Sequence, residues 1–573
     1  MLMGSPLTPT ANPTYSRHSF MSRTRMPASL QQQILDRVRK TPDQLYLCQP
    51  IDRTWKHWTW AEAVDEACRL AAGLRKLGLG PGDRIGLISK NCAHWVIADM
   101  AMILAGMVSV PIYPTANART IRQVLDHSEA RACIIGKLEH AETQLPGIPD
   151  ELLTIAMPYP GAKADHDWPD LVAESPERFE VHDAAEDDLA TLLYTSGSTG
   201  EPKGAMHSFD NFSFVGESLA TAIGVRDGDR ILSYLPLSHC TERAYVEAGS
   251  FYGGSTLYFV ESLETFMEDL QHAEPTLFGS VPRLWKKFQL GVLEKIPHNK
   301  LEKLLKLPIV NMLIRHKIKR GLGLHKGEWF ASGSAPIAPV LLEWWDRVGV
   351  TICEGWGMTE TFAYGTQVGR GEKPRFGTIS RALPGVELDT GYDDELLIRC
   401  PCMMQGYYKQ EELTGESFEN GYFRTGDRAF IDADGWVKIT GRVKEVFKTT
   451  KGKYVAPVPL ESLLAKNELI EQACVVGDHL DQPVALVQLA EHIELEMREL
   501  RRQLVETLDS VNDELEPHQK ISHIIVIRER WTVDNELLTP TLKIRRPQIE
   551  KRYRPAIREA SDRISFYSGP EHD

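Results

Sequence analysis

The chain alternates between stretches whose apolar residues recur every three or four positions and short, nearly unbroken apolar runs. That is the pattern of amphipathic helices laid between buried strands. "AEAVDEACRLAAGLRKLG" reads as an amphipathic helix ended by glycine, "DRIGLIS" as a strand, and "ARTIRQVLDHSEA" as a helix before the strand "RACIIG". The alternation runs from Leu30 to about Asp187 and predicts a layered α/β domain. Further strands at "RILSYLP", "STLYFV" and "PTLFGSVP" carry that domain onward, and its last part, about Phe376 to Asp434, is rich in Gly, short strands and turns such as "DADGW". After "ITGRVKEVF" the pattern becomes that of a smaller α+β unit. "PLESLLAK" is a helix opened near Pro459, "QACVVGD" and "VALVQLA" are strands, and "ELEMRELRRQLVETLDSVNDEL" is a long charged helix. A boundary near Arg442 separates a large domain, 28–441, from a small one, 442–573. No period of about 20 to 50 residues repeats, which argues against a solenoid.

The length of 573 residues exceeds what one core accommodates and agrees with two or more domains. The net charge of -14 argues against nucleic acid as a partner. Nine cysteines without a CxxC pair or Cys/His ligand spacing fit a reducing compartment, and Cys400 and Cys402 read as structural thiols. The most apolar window, Trp95 to Tyr113, is interrupted by Asp99 and Pro111, and reads as a buried helix and strand rather than a membrane span. Residues 1–27 contain Arg17, Arg23 and Arg25, several Ser and Thr, and no acid. That is the composition of an organelle transit peptide, and equally of a disordered tail or an over-long start. A cytoplasmic location is expected, with targeting by residues 1–27 as the alternative.

Between Lys300 and Lys326, Lys303, Lys306, Arg315, Lys317, Lys319 and Arg320 surround Leu, Ile, Val and Met with a single acid, Glu302. A basic amphipathic segment of this kind can lie on an anionic membrane, and a solvated helical face is the plainer reading.

The stretch "LLYTSGSTGEPKGAMHS", Leu192 to Ser208, carries candidate chemistry. Its glycines let the backbone approach an anion, and consecutive N–H groups make an anion-binding concavity. It is not a Walker A loop, because Pro202 stands five residues after Gly197 and Lys203 is followed by Gly204. A flexible surface turn is the bland alternative. Against it, the apolar run "LATLLY" leads into the loop as a buried strand would, placing it at a strand end where ligands bind.

"YTSGSTGEPKG" resembles the signature of the adenylate-forming (AMP-binding) superfamily of acyl-CoA synthetases, adenylation domains and luciferases. In the same order follow "LPLSHCTER", "SGSAPI", "EGWGMTET", "GYFRTGD", "GRVKEVFKTTKGKYV" and "LTPTLKIRR", so the resemblance covers nearly the whole chain from about residue 30. Several of these phrases look most like the long-chain fatty acyl-CoA synthetase branch. The resemblance implies a large, multi-subdomain N-terminal domain and a small, mobile C-terminal one, with ATP, Mg²⁺ and CoA taking part.

It also implies roles. Thr195, Ser196, Gly197, Ser198, Thr199, Gly200 and Lys203 would cradle the β and γ phosphates. Glu360, with Thr199, would hold Mg²⁺, and Thr359 would touch the α-phosphate. Trp356, where Tyr is usual, would stack adenine against Gly333, Ser334 and Ala335, with Glu354 and Gly355 beside it; lacking a hydroxyl, it would lose that group's hydrogen bond. Asp427 would accept the ribose hydroxyls, Arg442 would pair with ribose or phosphate oxygens, and His239 would sit by the acyl site. Lys543 would bridge the carboxylate and α-phosphate during adenylation. A hinge at Lys444 would then withdraw it and bring Lys451 and Gly452 to the entrance for CoA. The aromatic gate of some relatives is replaced near this motif by Cys240, Thr241, Glu242 and Arg243.

The expected reaction is ATP-dependent activation of a medium- or long-chain fatty acid and transfer to CoA. A carrier-protein or amine acceptor is one alternative; a catalytically silent nucleotide-binding regulator is another. Oligomeric state is open, a homodimer included.

Overall fold

A computed structural model describes residues 28–161, 163–175, 179–196, 202–490, 495–533, 535–539 and 543–568. The expected sequence elements are present. The helix Trp60–Lys76 starts at a reciprocal cap, in which Thr59 and Glu62 satisfy each other's backbone N–H groups. The apolar window resolves into the wholly buried helix Ala93–Ala105, ended by Gly106 at φ 72°, and the buried strand Val108–Ile112. Among the described residues no helix is long and apolar enough to cross a membrane.

The large domain is built on two seven-stranded sheets, each parallel except for one antiparallel edge strand. One contains Leu45–Ile51, Arg230–Ser233, Thr256–Phe259, Leu277–Ser280, Trp329–Ser332 and Ile352–Glu354. The other contains Arg84–Ile88, Val108–Ile112, Ala132–Ile135 and the hairpin of Leu189–Ser196 with Pro202–Ser208. Strands buried on both faces read as unbroken apolar runs, which is why these were legible without alternation. Leu47, Ile231 and Leu257 of the first sheet share one core with Ile85, Leu87 and Ile134 of the second, through the helices Trp60–Lys76, Ala93–Ala105 and Phe209–Ile223. The outer face of the first sheet is covered by helices carrying Trp285, Phe288, Leu342 and Trp345. A five-stranded antiparallel sheet, Glu387 to Arg442, completes the large domain.

The small domain is a four-stranded mixed sheet, Ile470–Val476, Val484–Leu489, Ile524–Ile527 and Ile564–Tyr567. The helix Met497–Asp513 packs on one face through Leu500, Leu504 and Leu508, and Trp531, Ile549 and Tyr553 cover the other. This domain touches the large one through Glu471, which accepts from Arg283 at 3.0 Å and from Arg530 at 2.8 Å.

Candidate active site

Four parallel strands of the first sheet end at one cleft. It is lined at the strand ends by Gly279, Ser332, Gly333, Ser334, Gly355 and Trp356, the carboxyl-end location where open parallel sheets take ligands. The space is about 870 Å³, a figure that includes the open solvent at its mouth. Its inner wall is apolar, with Ile223, Val225, Val246, Leu277 and Trp329. At the mouth, Ser334 holds φ 66°, a left-handed conformation uncommon outside glycine, and the Ser332 hydroxyl is buried without a partner among the described residues. Ala335, expected on the adenine face, is exposed and lies off the lining, because the chain has already turned away after Ser334.

The wall near the motif "SHCTER" departs from a simple gate. Glu242 turns inward and accepts from the Ser233 hydroxyl at 2.8 Å, the Tyr234 N–H at 3.1 Å and Asn91 Nδ2 at 3.4 Å. Burial pushes its carboxyl up to about 8, so it is mostly uncharged at neutral pH. Arg243 is withdrawn from the cleft, bound to Asp99, to the Thr191 hydroxyl at 2.7 Å and to Ser109 at 3.1 Å. The aromatics come instead from Tyr245, in one π-helical turn Arg243–Ala248, and from Trp329, stacked on it at 6.5 Å.

Over the mouth stand the charged groups. Asp427 lies on Tyr422–Ile431, directly opposite Arg442 in the antiparallel pairing, and accepts from Arg442 Nε at 2.8 Å. Its second oxygen accepts from the indole N–H of Trp356 at 2.9 Å. Trp356 has no hydroxyl to offer, and its indole supplies a donor of its own, aimed at the carboxylate. Burial raises the Asp427 carboxyl, with Arg442, Trp356 and Lys543 pulling the other way.

Glu360 accepts from the Tyr407 hydroxyl at 2.6 Å, and the Lys203 ammonium sits 5.6 Å over the same ring. Burial and the Glu360 charge raise Tyr407, keeping it a phenol that donates. Thr359 is held by its carbonyl, which accepts from His207 Nε2 at 2.7 Å, and its hydroxyl reaches Cys240 Sγ at 3.6 Å. His239 accepts the Thr241 N–H at Nδ1, 3.2 Å, which puts the proton of the neutral ring on Nε2. Burial first, then the Lys543 charge, depress His239 to about 3, so the ring is neutral across the physiological range.

Lys543 reaches this group from the small domain. Its backbone is fixed against Thr539, which accepts the Lys543 N–H at Oγ1, 3.0 Å, and donates its own N–H to the Lys543 carbonyl at 2.8 Å. Burial lowers its ammonium and Arg442 adds to this, while Cys240, Asp427 and Glu360 oppose. The structure thus gathers Lys543, Asp427, Arg442, Glu360 and His239. Thr195 and Lys203 face each other in the antiparallel pairing of Leu189–Ser196 with Pro202–Ser208. The Ser196 side chain and Gly197, Ser198, Thr199 and Gly200 lie outside the described residues. Lys444 is exposed in the single turn Val443–Glu445, and Lys451 and Gly452 occupy the tip of a hairpin on the small domain, off the cleft lining. Sequence reasoning missed Tyr407, Tyr245 and Trp329. Tyr407 follows a glycine in "QGYYK", a turn without periodicity, so nothing local marks it.

The family model described as AMP-binding enzyme matches residues 34–408, and its C-terminal domain model matches 445–565. The chain belongs to the AMP-binding enzyme family. It is 31% identical to the long-chain-fatty-acid–CoA ligase FadD15 of Mycobacterium bovis, over 93% of this chain and 96% of that one. It is 30% identical to fatty acyl-CoA synthetase A of Dictyostelium discoideum, over 88% and 85%. Among solved structures, the anthranilate CoA ligase AuaEII with anthranoyl-AMP superposes with a TM-score of 0.78 at 21% identity, covering 94% of this chain and 99% of that one. The A domain of the Segniliparus rugosus carboxylic acid reductase, with AMP and a co-purified carboxylic acid, gives 0.76 at 21%, covering 95% of each. These likenesses extend over both domains of this AMP-binding enzyme.

Proposed function

We propose that the protein is an AMP-forming fatty acid–CoA ligase: it activates a medium- or long-chain fatty acid with ATP and passes the acyl group to CoA. The observation that carries this reading is Lys543, brought from the small domain beside Asp427 and Glu360 at the mouth of a cleft whose inner wall is apolar. In the first step a carboxylate oxygen attacks the α-phosphorus, the bond to the bridging oxygen breaks, and pyrophosphate leaves with the electron pair. In the second the CoA thiolate attacks the acyl carbon of the adenylate and AMP leaves.

Two anions meet in the first step, so preorganised positive charge lowers its barrier most. Lys543 would supply that charge between carboxylate and α-phosphate, and the neutral His239 a donor beside them. Asp427 would accept from the ribose, and Arg442 would neutralise both. Glu360 keeps one oxygen without a protein partner among the described residues, which fits a hard cation bridging to nucleotide phosphates, the usual way Mg²⁺ is held. Glu360 and Thr199 would hold that ion, which when bound neutralises developing charge on the phosphates.

The apolar wall with an uncharged Glu242 favours an alkyl chain over a polar acid. The test is acyl-CoA formation from ATP, Mg²⁺ and CoA across acetate, octanoate, palmitate and benzoate, read by mass spectrometry. Thioester formed fastest from the fatty acids supports the reading; adenylate that accumulates with CoA present and transfers only to a carrier protein or amine overturns it.

A further inference from the structure

We infer that the helical hairpin His298–Leu305 and Pro308–Gly321 is a docking surface for an anionic phospholipid bilayer. Ten large apolar side chains stand exposed among the described residues, and four of them crowd into this segment: Leu307 at 53%, Ile309 at 75%, Met312 at 66% and Leu313 at 60%. Ile309, Met312 and Leu313 are spaced i, i+3, i+4 and share one helical face, while Ile314 and Ile318 on the opposite face pack into the core. This helix is therefore amphipathic twice over, with one apolar side facing the protein and one facing solvent.

Cations flank the exposed ridge at both ends. Lys303 and Lys306 precede it, and Lys317 and Arg320 follow on the exposed surface. Among the described residues none of Lys300, Lys303, Lys306, Lys317, Lys319 and Arg320 forms an ion pair with an acid. Glu302, the one acid of the segment, is engaged by Arg347 at 3.1 Å. The charge is thus unspent within the molecule, in a chain of net charge -14 whose remaining surface an anionic membrane repels. An apolar ridge between cations is the arrangement of an interfacial helix, its apolar side chains entering the acyl boundary and its cations meeting the headgroups. At about 1.5 Å per residue, the 14-residue helix is about 21 Å long, too short to span and long enough to lie in the surface.

The test is co-sedimentation of the full chain with large unilamellar vesicles, either pure phosphatidylcholine or equal parts phosphatidylcholine and phosphatidylglycerol. The wild type is expected to bind the anionic vesicles at low salt, to release at high salt, and to ignore neutral ones. Ile309→Ser/Met312→Ser/Leu313→Ser and, separately, Lys317→Glu/Arg320→Glu should each lower the partition coefficient more than about tenfold. Circular dichroism confirms folding; should either variant unfold, Lys300→Glu/Lys303→Glu on the neighbouring helix gives the same reading. Unchanged binding in the folded variants, or no wild-type binding, overturns the inference. So does a concentration-dependent dimer, or capture by an acidic protein alone, abolished by the same substitutions without vesicle binding. The readout involves no substrate and stands apart from the catalytic assignment.

Discussion

Tyr407 joins two groups that the chain keeps far apart: its hydroxyl donates to Glu360 and its ring underlies the Lys203 ammonium. With Glu360 as the proposed Mg²⁺ ligand, a phenol held in this way would orient the carboxylate as outer partners of ligands do, and such partners are typically worth about 10–100-fold. Tyr407→Phe should therefore lower pyrophosphate exchange about 10–100-fold and raise the Mg²⁺ concentration needed for half-maximal rate; an unchanged Mg²⁺ dependence would remove Tyr407 from the site. The titrations set a pH profile. On the proposed role exchange would need Lys543 as the ammonium, and burial with Arg442 lowers its pKa below 10.5, so the alkaline limb should begin below that value. His239, depressed to about 3, should contribute no inflection near 6.5. The linkage sign follows: a lysine whose folded pKa is depressed costs stability while it is charged, and that cost is relieved as pH rises from the folded pKa to 10.5. An exchange profile with a limb near 6.5 that vanishes in His239→Ala would contradict this. Lys543, Asp427 and Glu360 were legible because each sits in a motif; Tyr407 and Tyr245 were not, because their roles come from contacts made across the fold.

At the scale of elements, the helix Pro282–Lys295 and the strand Ile470–Val476 are joined by Arg283 and Glu471, with Arg530 completing the cluster. This contact exists in the orientation that holds Lys543 at the cleft. A partly exposed pair contributes about 1 kcal/mol. Glu471→Ala should accordingly reduce pyrophosphate exchange about fivefold while leaving thioester formation from pre-made acyl-AMP unchanged or faster. Equal loss of both rates would make the pair merely structural. The buried strands were readable from their apolar runs, and the helix Trp60–Lys76 from its cap and period. The doubly amphipathic helix Pro308–Gly321 was readable only as basic and apolar; which apolar residues face solvent depends on Ile314 and Ile318 packing into the core of the outer face, which no local pattern encodes.

At the scale of the whole molecule, the proposed reaction gives one site two tasks, and the proposed hinge between the domains would serve the change from one to the other. Arg442 is tied to Asp427 of the large domain, Glu445 is tied to Arg546 of the small one, and Lys444 stands exposed between these anchors. A hinge needs only a few residues that absorb the φ/ψ change. Lys444→Pro should spare acyl-AMP formation and stop thioester formation; parallel loss of both would place the hinge elsewhere. The two-domain order was legible from the change of pattern after Arg442, whereas the orientation of the domains rests on distant pairs such as Arg283 with Glu471. The most direct measurement compares ATP–pyrophosphate exchange with palmitate in the wild type and in Lys543→Ala, alongside thioester formation from synthetic palmitoyl-AMP and CoA. Loss of one preorganised charge should lower exchange about 10² to 10³-fold and leave the second half-reaction near wild type. Full exchange in Lys543→Ala would contradict the assignment of adenylation to this residue.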